Sequence, residues 1–207
     1  MKKTFILLFL LCSSILAAPL FHYSFENNVN DLSGNNNNGE LRNGASFSDG
    51  IIGKALDLNG SNQYVYIGDL AHMRTPTEFS VSYWFYRRSD GTSATNHATN
   101  NVILAKSSDE INDNFEIGSA GTNIEMYLDT DEGNGTQSYN GNIQNNQWYH
   151  IVMTYQDSRT NEMNLYVNNV LVGESSWWGS FQSADNNVSP LTIGIARPDG
   201  SLWGDFN

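Results

Sequence analysis

Four oxygen-bearing side chains recur at every second position from residue 125 onward, namely Glu125, Tyr127, Asp129 and Asp131. In an extended strand that spacing places all of them on one face. Two carboxyl groups facing one bond are what glycoside hydrolysis needs, one to protonate the leaving oxygen and one to act as nucleophile or base. The competing reading is an acidic hairpin turn, Asp129-Thr-Asp-Glu-Gly-Asn-Gly135, that is solvated, guards a sheet edge or binds a cation. The turn is the better reading, because alternating carboxylates at a sheet edge are usually solvated or protective. No catalytic residue is therefore assigned. A nucleophile triad is no better supported, since no Gly-x-Ser-x-Gly context occurs.

A second group of oxygen donors lies near the start of the chain. Asp31-x-Ser33-x-Asn35 sits in a polar, Asn-rich stretch from Glu26 to Gly39. Hard cations take several oxygen ligands, so calcium is the metal this stretch would hold, with Glu26, Asp31 and Asn36 as ligands here and Asp129 and Asp131 at the acidic turn. As an EF-hand the stretch fails, because the twelfth position counted from Asp31 is Arg42 where a bidentate Glu is required. The alternative is a surface turn built from residues that tolerate left-handed backbone. The four histidines, His22, His72, His97 and His150, lack metal-type spacing, so zinc is not expected.

Aromatic residues form the third group. Trp177 and Trp178 are adjacent and cannot both enter the same core, so one is expected on display as a sugar-stacking surface. The other reading shelters both under the segment 180–188. Upstream, Phe79, Val81, Tyr83 and Phe85 alternate with Ser80, Ser82, Trp84 and Tyr86. One set must be core. The second still carries Trp84 and Tyr86, which either line an exposed groove or pack beneath a loop.

The elements that position these residues are all strands. Tyr149, Ile151, Met153 and Tyr155 alternate with Trp148, His150, Val152 and Thr154, and after a polar connection Met163, Leu165 and Val167 alternate with Asn164, Tyr166 and Asn168. Asn168-Asn169 offers a tight reversal before Val170-Leu171-Val172, so residues 147–173 read as a β-meander. Further strands are expected at 20–25, 45–47, 55–58, 64–67, 79–88, 102–105, 114–117, 124–128, 137–143 and 191–196, with 197–200 as a turn. No stretch shows sustained helical periodicity.

The meander resembles the laminin G-like, concanavalin A-like jelly-roll family. The pattern is Trp148-x-His150, a hydrophobic alternation into Thr154-Tyr155, and then Leu165-Tyr-Val-Asn-x-Val-Leu-Val-Gly173. Tyr23-Ser-Phe25 with Asn30-Asp-Leu-Ser-Gly-Asn35, Gly53-Lys-Ala-Leu-Asp-Leu-Asn-Gly60, Phe79-Ser-Val-Ser-Tyr-Trp-Phe85 and Pro190-Leu-Thr-Ile-Gly194 extend the resemblance over nearly all of residues 19–207. It implies an all-β, two-sheet antiparallel jelly-roll β-sandwich, and a structural calcium between the N-terminal region and an acid on a final strand. Related glucanases carry Glu-x-Asp-x-x-Glu on one strand, and Tyr127 stands here where the Asp should be. The Arg-x-Glu and Gln-x-His pairing of jelly-roll alginate lyases is also missing. Gly204-Asp-Phe-Asn207 matches the family's entrance to its final strand, so an extended version carrying that strand is expected to melt higher.

Residues 1–18 read as a secretory signal peptide: Lys2-Lys3, then the apolar run 5–16, too short to span a membrane comfortably, then Ala17-Ala18. Bulky Leu11 before Cys12 argues against lipidation, and with the signal removed no cysteine is left. Losing Lys2 and Lys3 takes the formal charge from −12 to −14. Such acidity argues against nucleic acid and anionic membrane surfaces and leaves neutral glycans, cations or basic proteins. Secretion to the cell exterior or surface, no membrane insertion of the mature chain, and membership of a larger multidomain protein are the matching expectations. The expected function is a non-catalytic recognition module for a glycan or an extracellular protein, calcium-assisted, in adhesion or polysaccharide targeting. A glycoside hydrolase or polysaccharide lyase on the same fold, using Glu125 and Asp129, is the alternative.

Overall fold

A computed structural model of the chain describes residues 18–90, 101–107, 113–130, 133–157, 162–176, 188–196 and 198. Residues 1–17 of the expected signal peptide, His97, Asp131, Trp177, Trp178 and the segment 199–207 lie outside the described residues. Strands are numbered in chain order. A seven-stranded antiparallel sheet runs β1 (Glu40–Arg42), β4 (Tyr64–Gly68), β13 (Leu191–Ile193), β6 (Asn101–Ser107), β7 (Asp113–Ala120), β8 (Asn123–Thr130) and β9 (Gly133–Asn140). A four-stranded antiparallel sheet runs β12 (Val170–Ser175), β11 (Met163–Val167), β10 (Trp148–Gln156) and β5 (Glu78–Tyr86). A small hairpin pairs β2 (Ser46–Asp49) with β3 (Lys54–Asp57). Among the described residues the only helix is the 3-10 turn Ala71–Met73.

The alternation seen in the sequence becomes a division between inside and outside. Along β10, Tyr149, Ile151, Met153 and Tyr155 are buried, while Trp148, His150, Val152 and Thr154 are only half-buried. Facing strands obey the same parity: Met163, Leu165 and Val167 on β11 and Val81 and Phe85 on β5 turn inward. They meet Leu104, Phe115, Ile117, Ile124, Met126 and Leu128 of the large sheet in one continuous core. This is the all-β, jelly-roll sandwich expected from the residue pattern. The hairpin after β11 turns at Asn168 and Asn169, both at positive φ (48° and 67°), as a two-residue turn of matching twist requires.

Three strand expectations need correction. Residues 20–25 form no ladder. Their backbone groups are taken by the polar loop instead: the carbonyl of Leu20 accepts from Asn35 Nδ2 at 3.0 Å and Asn37 Nδ2 at 2.8 Å, and that of His22 accepts from the amide of Leu32 at 2.8 Å. The strand expected over 137–143 starts earlier and ends at Asn140, because Gly141 and Ile143 both donate to the carbonyl of Thr122 in the preceding turn. Regular pairing at 191–196 stops at Ile193, where Gly194 takes a φ of 95°. The short strand β1 was not anticipated.

The two sheets approach closely at one edge. A Cβ placed on Gly173 of β12 would lie 2.3 Å from the ring of Tyr139 on β9. Gly173→Ala is expected to destabilise the fold by about 1–3 kcal/mol through overpacking, read as a lower midpoint of chemical denaturation. An unchanged midpoint would show that Tyr139 moves aside freely.

Candidate functional site

The outward parity of β5 and β10 collects aromatic side chains on the face of the four-stranded sheet turned away from the core. Cross-strand register sets Trp84 opposite His150, Tyr86 opposite Trp148 and Ser82 opposite Val152. Trp84 stacks on the His150 imidazole with centroids 5.0 Å apart and planes 29° apart. Tyr86 and Trp148 pack at 5.5 Å and 50°. Such pairs hold ring orientation as well as adding stability, by about 0.5–1.5 kcal/mol each. Trp84 nevertheless keeps 49% of its surface exposed, unusual for so large an apolar side chain.

Polar groups are interleaved with the rings. His150 Nε2 and Ser82 Oγ lie 2.9 Å apart, and the His150 amide donates to Asn168 Oδ1 at 2.9 Å. The Tyr86 hydroxyl reaches Asn146 Oδ1 at 3.4 Å. Arg87, next along the chain, is only 2% exposed and anchors this end of β5 from within. It donates to Asn145 Oδ1 at 2.8 Å, Ser119 Oγ at 3.3 Å and the Gly121 carbonyl at 2.7 Å, and pairs with Asp90 at 2.7 Å.

Among the described residues strand β5 has a sheet partner on one side only. Beside its other edge opens a cleft of about 590 Å³, bounded by residues 21–25, the β2–β3 hairpin and the aromatic face. Phe21, Tyr23 and Phe25 stack in series along one wall at 5.9 and 5.8 Å. Burial, and then the nearby Asp31 carboxylate, push the Tyr23 hydroxyl pKa upward, so it stays protonated and donates to the Asn37 carbonyl. Ile51 and Ile52 project from the hairpin turn at 44% and 84% exposure. The cleft is thus an apolar recess with polar edges, the form small-ligand sites commonly take.

The other residues singled out from the sequence lie elsewhere. Glu125, Tyr127 and Asp129 do share one face of β8, but Tyr127 is 3% exposed and stands opposite Glu116, itself 2% exposed. Burial raises the Glu125 carboxyl pKa, opposed by the Ser138 hydroxyl that donates to it at 3.0 Å. In the N-terminal loop the Asp31 carboxylate accepts four hydrogen bonds. These come from the amides of His22 (2.9 Å), Ser33 (2.9 Å) and Asn37 (3.0 Å) and from the Ser33 hydroxyl (2.8 Å). Burial alone would raise its pKa, yet these donors outweigh it and hold the pKa below the ordinary value. Both carboxylate oxygens of Asp31 therefore act as acceptors within this loop. Glu26 accepts from the Lys54 amide at 3.1 Å, and Asn36 takes a φ of 60°. Among the described residues no three His, Cys, Asp or Glu side chains come together as a metal-binding group.

The sequence profile of the concanavalin A-like lectin/glucanases superfamily matches residues 59–206, well over half of the chain. The chain belongs to this superfamily. No curated protein matches it by sequence. Solved superfamily-like folds include the binding domain of Paraclostridial mosquitocidal protein 1, at TM-score 0.61 and 20% identity over 85% of this chain. They also include the Ruminococcus gnavus IT-sialidase CBM40 bound to α2,3-sialyllactose, at 0.53 and 14% over 68% of this chain and 78% of that one. The receptor-binding domain of botulinum neurotoxin D matches at 0.54 and 19% over 79% of this chain. The chain spans 42% of the mosquitocidal domain and 41% of the neurotoxin domain, less than half of either.

Within the superfamily fold, Trp84 and Tyr86 are brought together on the outer face as a pair of rungs, each with a partner that sequence reasoning passed over. Those partners are Trp148 and His150. Their even-numbered parity on β10, opposite to the buried set, was the available signal. The pairing with β5 was not readable.

Proposed function

We propose that this protein is a secreted, non-catalytic recognition module that binds carbohydrate on the outer aromatic face of its four-stranded sheet. Trp84 carries this reading: a half-exposed indole held flat against His150, beside a second aromatic pair and a recess with hydroxyl and imidazole groups at its edge. Indole faces stack on the C–H faces of sugar rings, and nearby polar groups select among hydroxyl patterns. The sialidase CBM40 with bound sialyllactose and the neurotoxin receptor-binding domain support the reading by fold analogy alone. Adhesion, or targeting of a polysaccharide-degrading system as part of a larger multidomain protein, is the setting such a module suits. An extracellular protein is the alternative partner.

A glycan array followed by calorimetry on the best ligand tests this, with reducing ends assayed in the same samples. Binding without release of sugar is the expected result, and release of sugar would move the reading to a glycan-cleaving enzyme on the Glu125 face. Calcium belongs to the proposal as a structural aid, with Glu26, Asp31 and Asn36 in the loop 26–38, or Asp129 and Asp131 at the acidic turn, as its ligands. Titration with calcium should show stoichiometric binding and a raised melting temperature, by linkage to the folded state. A melting temperature that ignores both calcium and chelator removes the ion from the proposal.

A further inference from the structure

Every lysine and arginine among the described residues is already joined to a carboxylate. Arg42 pairs with Glu40 at 2.7 Å, Lys54 with Asp49 at 2.6 Å, Arg87 with Asp90 at 2.7 Å, Arg88 with Asp57 at 2.7 Å and Lys106 with Asp69 at 3.2 Å, and Arg74 shares that same Asp69. The excess of acid explains the completeness: the chain carries 22 Asp and Glu against 10 Lys and Arg. Two of these pairs, Lys54–Asp49 and Arg88–Asp57, have both members on the walls of the cleft beside Trp84. The Arg88 guanidinium also donates to the Leu58 carbonyl, which fixes it further on the hairpin side. The nitrogen bases left on those walls are the imidazoles of His22 and His150, the latter engaged with Ser82.

We infer that the ligand of the aromatic face is a neutral glycan, and that sialylated, sulfated or uronic-acid glycans are rejected. The inference rests on the reading of that face as a carbohydrate platform and adds the charge class of the ligand. Pairing with a cation is the strongest means of holding an anionic sugar. Here each wall cation would have to release a protein carboxylate to accept a ligand carboxylate. That exchange trades one exposed ion pair for another, so it gains little, and the ligand's charge adds to a field already negative. A neutral pyranose makes no such demand: its C–H face covers the Trp84 indole while its hydroxyls meet the Ser82–His150 pair and the polar edge of the recess. Selectivity of this kind comes from the repulsive element as much as from the attractive one.

Matched oligosaccharides test the charge class on the full chain: lactose, N-acetyllactosamine and cellotetraose against 3′-sialyllactose, 6-sulfo-N-acetyllactosamine and tetragalacturonate, read by calorimetry and by tryptophan fluorescence. Neutral members should bind and their acidic counterparts should bind about tenfold more weakly, a margin that shrinks as salt screens the repulsion. Acidic members binding as well as or better than neutral ones would overturn the inference and leave the carbohydrate reading standing. Binding of none of the six would overturn both. A gain-of-function arm isolates the cause. Asp57→Asn frees Arg88 and Asp49→Asn frees Lys54, each at an exposed pair where folding should survive and melting temperature verifies it. Either substitution should raise the acidic-to-neutral affinity ratio by about threefold or more. A ratio unchanged in both folded variants would sink the ion-pair account.

Discussion

Trp84→Ala should weaken binding of the best neutral glycan by about thirtyfold, equivalent to about 2 kcal/mol, as removal of a central aromatic anchor typically does. The effect on stability should be smaller. Trp84 is already 49% exposed and stacks on the His150 ring, so truncation forfeits a stacking contact of about 1 kcal/mol and little burial. Binding and stability therefore separate in this variant. Trp84→Phe keeps a ring over His150 and should retain most of the affinity. Calorimetric titration of wild type and both variants decides the matter, and an affinity that Trp84→Ala leaves untouched would remove the outer face as the binding site.

The largest loss of stability is expected from Arg87→Ala, at about 3 kcal/mol or more, with a fall in melting temperature of roughly 10 °C for a chain of this size. The guanidinium is 2% exposed and ties the end of β5 to the β7–β8 turn through Ser119 and Gly121, and to the approach to β10 through Asn145. Removing it strands those acceptors without a donor, while Asp90, 48% exposed, can recover water. The lower end of the range for broken buried pairs is accordingly the right figure. Arg87→Met preserves much of the packing volume and none of the hydrogen bonds, so a comparable loss there assigns the effect to the polar network. A loss below about 1 kcal/mol in both variants would show that water replaces the guanidinium without penalty.

Arg87 also illustrates what a linear reading misses. In sequence it is one of two adjacent arginines at the end of a strand, and although its odd parity continues the set Phe79, Val81, Tyr83 and Phe85, nothing local names the partners that a buried guanidinium requires. The fold buries Arg87 among partners 32 to 58 residues away and leaves Arg88 on the surface against Asp57. The same applies to residues 20–25. Their alternating aromatics satisfy the local rule for a strand, yet a strand needs a neighbour, and the side chains of Ser33, Asn35 and Asn37 supply the hydrogen bonds that a neighbour would have made. Asp31, a cation-ligand candidate by residue type, also accepts from backbone amides of its own loop and of residue 22, contacts that its sequence position does not announce.

What could be read without coordinates was whatever has a period of two or depends on a single turn. The strand identities of β5, β10 and β11, the buried set Tyr149, Ile151, Met153 and Tyr155, the reversal at Asn168-Asn169 and the shared face of Trp84 and Tyr86 all follow from pleat geometry and the backbone preferences of the residues themselves. Parity says that two faces differ. It does not say which strand lies alongside, nor what covers the second face. Those were decided by long-range pairing: β5 against β10, about sixty residues apart, converts two separate aromatic alternations into one surface with Trp84 on His150 and Tyr86 on Trp148. The charge character of the recess was settled at the same level, because a cation's availability depends on which carboxylate the fold sets beside it, and Coulomb attraction at hydrogen-bond distance is a property of the folded contact.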